Sequence, residues 1–438
     1  MRKKSSQVFL LAGAASLVVL GVTAAAGQAA AQAVKTAQDR SADLFTRDRG
    51  VGVRERPRPD YEAVGATSGS FVIFPKIQFD TEYNDNVFAV ENGKQDDFIF
   101  RIRPEVTAES DWSRHYIQGY ARSIISRNAD FDSENTEEWT VGTTGRLDIV
   151  RGSNISGGAE YARVVEPRTS SNTASTAASP IEFDMASAYV TAVRAMGRIR
   201  VSGRADVRSF DYEDGRTTAG AVIDQSDRDR TVVNGAGRLD FALSPATAIF
   251  GQVSVNDKDY DSDAAGTTPA RDSSGYEALV GVNFELGAVS RGEVAAGYIS
   301  QSFDNAAYGD IDGFGARAQL EWFPTELTTV TASASRTIQD AGIIGAAGYL
   351  SSEVGAKIDH ELLRNLILTA QLSYGEDEYN GIDRDDQRLN ASVSGTYLIN
   401  RHYGVTTTLA YLDQGSDGAL AGPSYDVTRL YASFVAQF

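Results

Sequence analysis

From Phe71 onward the chain alternates between apolar and polar positions. Phe71, Ile73, Pro75, Ile77, Phe79, Thr81 and Tyr83 fall on one side of an extended chain, and Lys76, Gln78, Asp80 and Glu82 fall on the other. Period two marks a strand with one apolar face. Strands in soluble proteins run to about 5–6 residues. A tilted strand crossing the hydrocarbon of a membrane needs about 9–11. The unbroken stretch from 71 to 83 therefore predicts a membrane strand. The pattern returns at Phe98–Val106, Ile199–Val207, Tyr276–Leu286 and Leu366–Tyr374. In each, polar or charged side chains alternate with apolar ones, so one face suits lipid and the other suits water.

The connections alternate too. Short ones are predicted at Asp111–Arg114, Arg151–Asn154, Met196–Gly197, Leu243–Ala246, Gly287–Ser290, Phe323–Glu326, Glu361–Arg364 and Ile399–His402. Long polar ones lie near 84–97, 128–137, 165–183, 212–228, 257–274, 302–310, 340–348, 375–386 and 413–424. Short periplasmic turns and long outer loops are the rhythm of an outer-membrane barrel. The reading is an all-β transmembrane antiparallel barrel of about 18 strands over residues 71–438. The last segment alternates Leu430, Ala432, Phe434, Ala436 and Phe438. Leu430, Phe434 and Phe438 resemble the closing-strand signal read by the barrel-assembly machinery.

Two segments precede the barrel. Residues 1–33 have a basic start (Arg2, Lys3, Lys4), an apolar run from Val8 to about Ala26, and a small-residue ending at Ala31-Gln32-Ala33. That is the pattern of a secretory signal peptide, with Ala31 and Ala33 marking the cleavage site. Residues 34–70 are polar and proline-containing, and read as a short disordered periplasmic tail.

Composition narrows the chemistry. The chain has 438 residues, no cysteine, three histidines and a formal charge of −18. Disulfides, thiolate metal sites and cysteine nucleophiles are excluded. The acidic balance argues against nucleic acid as a partner. Mean hydropathy of −0.27 suits barrel strands, whose two faces average out. His115, His360 and His402 fall at or beside predicted periplasmic turns, away from any nucleophile at the outer rim. The reading is a non-enzymatic protein without cofactor or dedicated metal site. Trp112, Trp139 and Trp322 sit near strand ends and read as an aromatic girdle.

Several motifs are similar to those of a known family. Arg54-Glu55-Arg56-Pro57-Arg58-Pro59-Asp60-Tyr61, Gly69-Ser70-Phe71 with Pro75, Asn84-Asp85-Asn86-Val87-Phe88, Arg103-Pro104 and Ser110-Asp111-Trp112-Ser113-Arg114 resemble the Putative beta-barrel porin 2 family. Members often accompany exopolysaccharide, capsule or holdfast genes. The resemblance implies a conduit for exported surface polysaccharide, working with periplasmic export proteins. A general diffusion porin for small hydrophilic solutes and a structural or adhesive surface barrel are the alternatives. Pro75 and Pro104, which lack a ladder donor, mark a bulge or an unpaired stretch. Asp85 and Asn86 suit the turn into the first outer loop.

The candidate site is the inward charge. Parity places Arg101 and Arg103 on the second strand, Arg198, Arg200, Arg204 and Arg208 on the seventh, and Arg230 and Arg238 on the eighth. Glu277, Glu285, Glu293, Glu321 and Glu353 point inward from the second half. Facing each other, the two sets would set up a transverse field, and charge ladders tune pore selectivity. Arginine forks also suit carboxylates and phosphates of an anionic glycan. The plainer reading is that these charges hydrate the lumen and pair with neighbours. Asp257, Asp259, Asp261 and Asp263 in one loop, and Glu376, Asp377, Glu378, Asp383, Asp385 and Asp386 in another, read as solvated acidic loops bridged to lipopolysaccharide by divalent ions. A calcium loop of the EF-hand kind needs glycine at its sixth and glutamate at its twelfth position. Counted from Asp257, those positions hold Ser262 and Thr268.

Overall fold

The computed structural model describes residues 50–172, 176–261, 269–343 and 345–438. The predicted signal peptide and the tail up to residue 49 lie outside the described residues. The rest is an 18-stranded antiparallel closed barrel. Its strands are β1 (Phe71–Asn84), β2 (Asp97–Ser110), β3 (Tyr116–Asn128), β4 (Thr136–Val150), β5 (Ser153–Glu166), β6 (Ile181–Met196), β7 (Ile199–Tyr212), β8 (Arg230–Ser244) and β9 (Thr247–Tyr260). They continue as β10 (Ser273–Leu286), β11 (Ser290–Phe303), β12 (Ile311–Thr325), β13 (Thr328–Asp340), β14 (Gly348–Leu363), β15 (Leu366–Tyr379), β16 (Asp385–Leu398), β17 (Tyr403–Asp417) and β18 (Tyr425–Gln437). Each pairs with its sequence neighbour. Closure comes from β1 against β18, in register from Lys76 opposite Gln437 to Asn84 opposite Arg429. Among the described barrel strands no open edge remains, which a bilayer requires.

The predicted parity sorts the faces. Phe79, Phe100, Val141, Val190, Phe314, Val393 and Leu409 point outward. Val280, in mid-strand on β10, is 71% exposed and has only lipid to meet. Aromatic pairs mark both ends of this apolar belt. Tyr83–Phe98 and Trp139–Tyr161, with ring centroids 5.3 and 5.4 Å apart, lie near the long-loop end. Phe71–Trp112 and Tyr403–Phe434, at 5.9 and 5.7 Å, lie near the short-turn end. Trp322 is exposed at that end as well. Amphipathic rings favour the two interfaces. Leu430, Phe434 and Phe438 all face outward from β18 and beyond it.

The prolines leave the predicted mark. Between β2 and β3 the ladder is interrupted at Arg103 and Pro104, and resumes in the same register with Glu105 opposite Arg122. Pro104 has no N–H to give. Pro75 sits just outside the β1–β18 ladder, where its carbonyl accepts from the Phe438 N–H at 3.1 Å.

One segment departs from the expectation of a free, disordered tail. Residues from Gly50 to Gly65 lie on the inner wall of the barrel at the short-turn mouth. They then form a short ribbon, Ala66–Ser68, paired with the start of β1. The cause is a match of charge and spacing. The segment folds through two turns, in which the Glu55 and Arg56 N–H groups donate to the Gly52 carbonyl at 3.0 and 3.1 Å and the Tyr61 N–H to the Arg58 carbonyl at 2.7 Å, and Arg54, Arg56 and Arg58 recur at every second residue of the chain. Inward carboxylates on β14 recur at the same step, at Asp359 and Glu361. Arg54 meets Asp359 at 2.8 Å, and Arg56 and Arg58 meet Glu361 at 3.3 and 2.7 Å.

Candidate functional site

The site is the interior of the barrel, built in three tiers from the periplasmic turns to the outer loops.

The lowest tier is the strap from Gly50 to Gly65. Its first residues rest on β11 and β12. Arg291 donates to the Gly50 carbonyl at 3.3 Å and bridges Glu55 and Glu321, both at 2.6 Å. A Cβ at Gly50 would come within 2.6 Å of the Phe323 ring, so the close approach needs glycine. The Val53 N–H donates to Thr329 on β13 at 2.8 Å, and Arg54 reaches Thr369 on β15 at 2.6 Å. Arg364 and Arg401, in two periplasmic turns, donate to the carbonyls of Pro57 and Pro59 at 3.2 and 2.9 Å. The strap thus follows the wall around much of the mouth from β11 to β18. Arg58 is only 4% exposed. Burial pulls its pKa down and the Glu361 carboxylate opposes that shift; it remains a guanidinium at any physiological pH. The sequence signal was present, as arginines at alternate positions between prolines. Nothing local distinguishes it from a disordered tail, because its partners lie some 300 residues away, as in the Arg54–Asp359 and Arg58–Glu361 contacts.

The middle tier holds the predicted charges. Arg101 forms an ion pair with Glu82, and Arg103 approaches Asp80 at 2.8 Å. Arg200 pairs with Asp240 at 3.4 Å, and Arg204 and Arg208 share Asp206 at 3.1 and 3.5 Å. Arg238 bonds Asp240 and Glu293, each at 2.8 Å, and lies 3.6 Å over the Phe250 ring. Glu277 pairs with Arg317 at 3.3 Å, and Glu321 with Arg291 as above. Glu285 stands opposite Arg291 in the β10–β11 register. Glu353 shares the inward parity of Asp359 and is exposed to the lumen.

Two corrections follow. Arg198 is not on the wall. It occupies the exposed turn after Gly197, whose φ of +62° ends the alternation before β7 begins. Nor do the two charge sets face each other as free ladders. Most arginines take carboxylates on their own or an adjacent strand. Register puts Arg103 opposite Gln78 and so beside Asp80, and attraction falls with distance, so near partners win. Arg238–Glu293 is the contact that joins the two sets.

The top tier is made by the described residues of the outer loops L1 (85–96), L2 (129–135), L3 (167–172 and 176–180), L4 (213–229), L5 (261 and 269–272), L6 (304–310), L7 (341–343 and 345–347), L8 (380–384) and L9 (418–424). L3 turns into the barrel. Arg168 forks onto Glu134 of L2 at 2.6 and 3.0 Å. The Thr169 carbonyl accepts from the Tyr425 hydroxyl on β18 at 2.8 Å. Asn172 Oδ1 accepts from the Gly342 N–H of L7 at 3.0 Å. Thr169, Ser170 and Ser171 are buried. Below L3, Arg230 and Lys258 of β8 and β9 form ion pairs with Asp340 of β13 across the lumen. Asn86 knots L1 to the wall, donating to the carbonyls of Val90 and Asp426 at 2.7 and 2.9 Å. The motif predicted as a turn is therefore also a tie to the closing strand.

The second acidic segment needs correction as well. Asp377 and Asp386 are fully buried at 0%. Arg388 clamps Asp377, and Arg384 clamps Asp386 at 2.6 and 2.9 Å. Buried carboxylates stay charged only when paired in this way. Among the described residues, no three His, Asp or Glu side chains gather as a metal-binding group.

A family model described as Putative beta-barrel porin 2 matches residues 58–438. Among curated proteins, none matches the sequence. Solved structures offer remote likeness. The outer membrane protein opdK from Pseudomonas aeruginosa is 10% identical with a TM-score of 0.43, covering 84% of this chain and 99% of that one. OccK3 (OpdO) from the same organism is 12% identical with a TM-score of 0.44, covering 84% and 96%. A mutant of its ferric enterobactin receptor PfeA is 8% identical with a TM-score of 0.47, covering 86% and 81%. The family match spans nearly all of the described barrel and begins within the arginine strap; the chain belongs to the Putative beta-barrel porin 2 family, and is a porin-type barrel of the bacterial outer membrane.

Proposed function

We propose that the protein is a diffusion channel for small hydrophilic solutes across the outer membrane. The path of L3 carries this reading. A barrel of this size encloses an aqueous bore. L3 leaves its own rim between β5 and β6 and meets Tyr425 on β18 and Gly342 in L7. It therefore narrows the bore and sets an upper size on what passes. The strap narrows the periplasmic mouth in turn. Paired lumen charges, together with lumen-exposed ones such as Glu353, then tune preference among small ions.

A conduit for exported polysaccharide, which the family resemblance implied, gains no support from this arrangement. A polymer needs a continuous wide bore, and L3 lies in its way. On the diffusion reading the required partners reduce to outer-membrane lipid, lipopolysaccharide at the rim, and the assembly machinery that folds the barrel.

Purified protein in liposomes, challenged with sugars of increasing length, tests the proposal. Swelling with mono- and disaccharides that stops at longer oligosaccharides is expected. Free passage of long oligosaccharides would restore the polymer conduit. Absence of any swelling or ionic conductance would leave a structural barrel.

A further inference from the structure

We propose that the outer half of the lumen contains a binding site for a small organic carboxylate, which rests on the channel reading and names its substrate class. The site is a cavity of about 270 Å³ beneath L3, walled by β5 to β9 on one side and by β13 and β14 on the other.

Charge in the cavity runs against the rest of the molecule. Arg208, Arg228, Arg230 and Lys258 line it against two carboxylates, Glu166 and Asp340. The local balance is positive in a chain whose formal charge is −18. The four cations are not equally engaged. Arg228 is saturated: it holds Glu166 at 2.7 and 3.0 Å and Gln225 at 2.8 Å. Lys258 is committed to Asp340.

Arg230 is different. One terminal nitrogen donates to the Arg228 carbonyl at 2.8 Å. Its Nε lies 3.7 Å from Asp340, too far for a hydrogen bond, and is a buried donor without a hydrogen-bond partner among the described residues. Its plane is fixed 4.3 Å over the Phe210 ring. Arg208 is held only at 3.5 Å by an aspartate it shares with Arg204. The Asn256 Oδ1, on the same wall, is also buried without a partner among the described residues. Unmet buried polar atoms are costly, and a ligand that meets them is stabilised by that amount.

These groups describe the ligand. A carboxylate accepts from Arg230 Nε and from Arg208, the charge-assisted geometry arginine favours. A hydroxyl several carbons further along the ligand's chain donates to Asn256 Oδ1, because Asn256 stands opposite Asn234, four residues along β8 from Arg230. Its carbon skeleton lies against Phe183 and Phe210, buried parts of one apolar cluster. Asp340 and Glu166 oppose a second negative charge, so a monoanion fits better than a dianion. Cations are repelled by the local balance.

Isothermal titration calorimetry on the folded full-length protein in detergent, with sodium gluconate as probe and glucose as its neutral analogue, tests the site. Gluconate is expected to bind at least tenfold more tightly than glucose. Arg230→Gln is expected to remove that preference, and Asn256→Ala to weaken gluconate several-fold while leaving the cations in place. Folding of each variant is checked by its heat-modifiable mobility on gels; if Arg230→Gln does not fold, Asn256→Ala carries the test. Equal binding of glucose and gluconate, no binding, or unchanged affinity in the folded variants would overturn the site. Conductance in potassium chloride, measured on the same preparation, separates the two claims. A conducting protein that ignores gluconate loses the site and keeps the channel. A silent protein that binds gluconate loses the channel and keeps the site.

Discussion

The backbone N–H of Gly342 donates to Oδ1 of Asn172 at 3.0 Å, joining loops that rise from well-separated parts of the barrel rim. With the Tyr425–Thr169 contact at 2.8 Å, it holds L3 across the bore. Hydrogen bonds of this kind contribute about 1 kcal/mol each; the Arg168–Glu134 fork anchors the base of the loop, and the Gly342 and Tyr425 contacts set how far it reaches across.

Releasing L3 should therefore widen the channel without unfolding it. Tyr425→Phe removes the hydroxyl that reaches Thr169 and Gln414. Single-channel recordings of this variant should show higher and noisier open conductance than wild type, with an unchanged melting temperature to within a few degrees.

The seam between first and last strands should be sensitive to one carboxylate. Glu82 on β1 is 1% exposed, forms an ion pair with Arg101 on β2, and lies 3.7 Å from Arg429 on β18. Removing one member of a buried pair costs about 3 kcal/mol. Glu82→Gln keeps the shape and loses the charge. It should lower the unfolding temperature on semi-native gels, whereas Glu353→Gln, whose side chain meets lumen water, should not.

The strap should act as a brace. Arg54→Ala with Arg58→Ala leaves Asp359 and Glu361, 3% and 4% exposed, without two of their cations. A loss of several kcal/mol is expected by the same reasoning. The check is urea unfolding in lipid vesicles, together with faster proteolysis near residue 50. A variant as stable as wild type would show that the strap is only laid against the wall.

Lipid contact fixes a fourth expectation. Val280→Arg places a cation in mid-strand on the outward face, where arginine costs about 2–4 kcal/mol. Membrane-inserted protein should fall sharply, while Glu353→Arg on the lumen face should insert normally. Phe438→Ala should reduce the amount assembled in cells more than the stability of what is assembled. Equal losses in both would mean that the residue is needed for packing, not recognition.

Strand positions were legible because a two-residue alternation is local. Val280 and Phe79 declare their face through their immediate neighbours. Partner choice was not local. Arg101 and Arg103 could be assigned to the lumen by parity, but Glu82 and Asp80 emerge as partners only once the β1–β2 register is known. The docking of the strap and the inward path of the loop expected near 165–183 are not legible for a related reason. Both are irregular segments placed by contacts hundreds of residues distant, and a polar proline-bearing stretch looks the same whether its arginines meet water or buried carboxylates. Arg198 was misassigned because a glycine turn interrupts the period at the residue before it.

The most direct test of the account is the solute size limit of wild-type protein against a variant in which residues 168–178 are replaced by a short Gly-Ser linker, measured by liposome swelling. The account predicts that wild type admits disaccharides and excludes longer oligosaccharides, and that the shortened loop raises that limit. An identical limit in both proteins, or passage of long oligosaccharides through wild type, would contradict the claim that L3 defines a channel for small solutes.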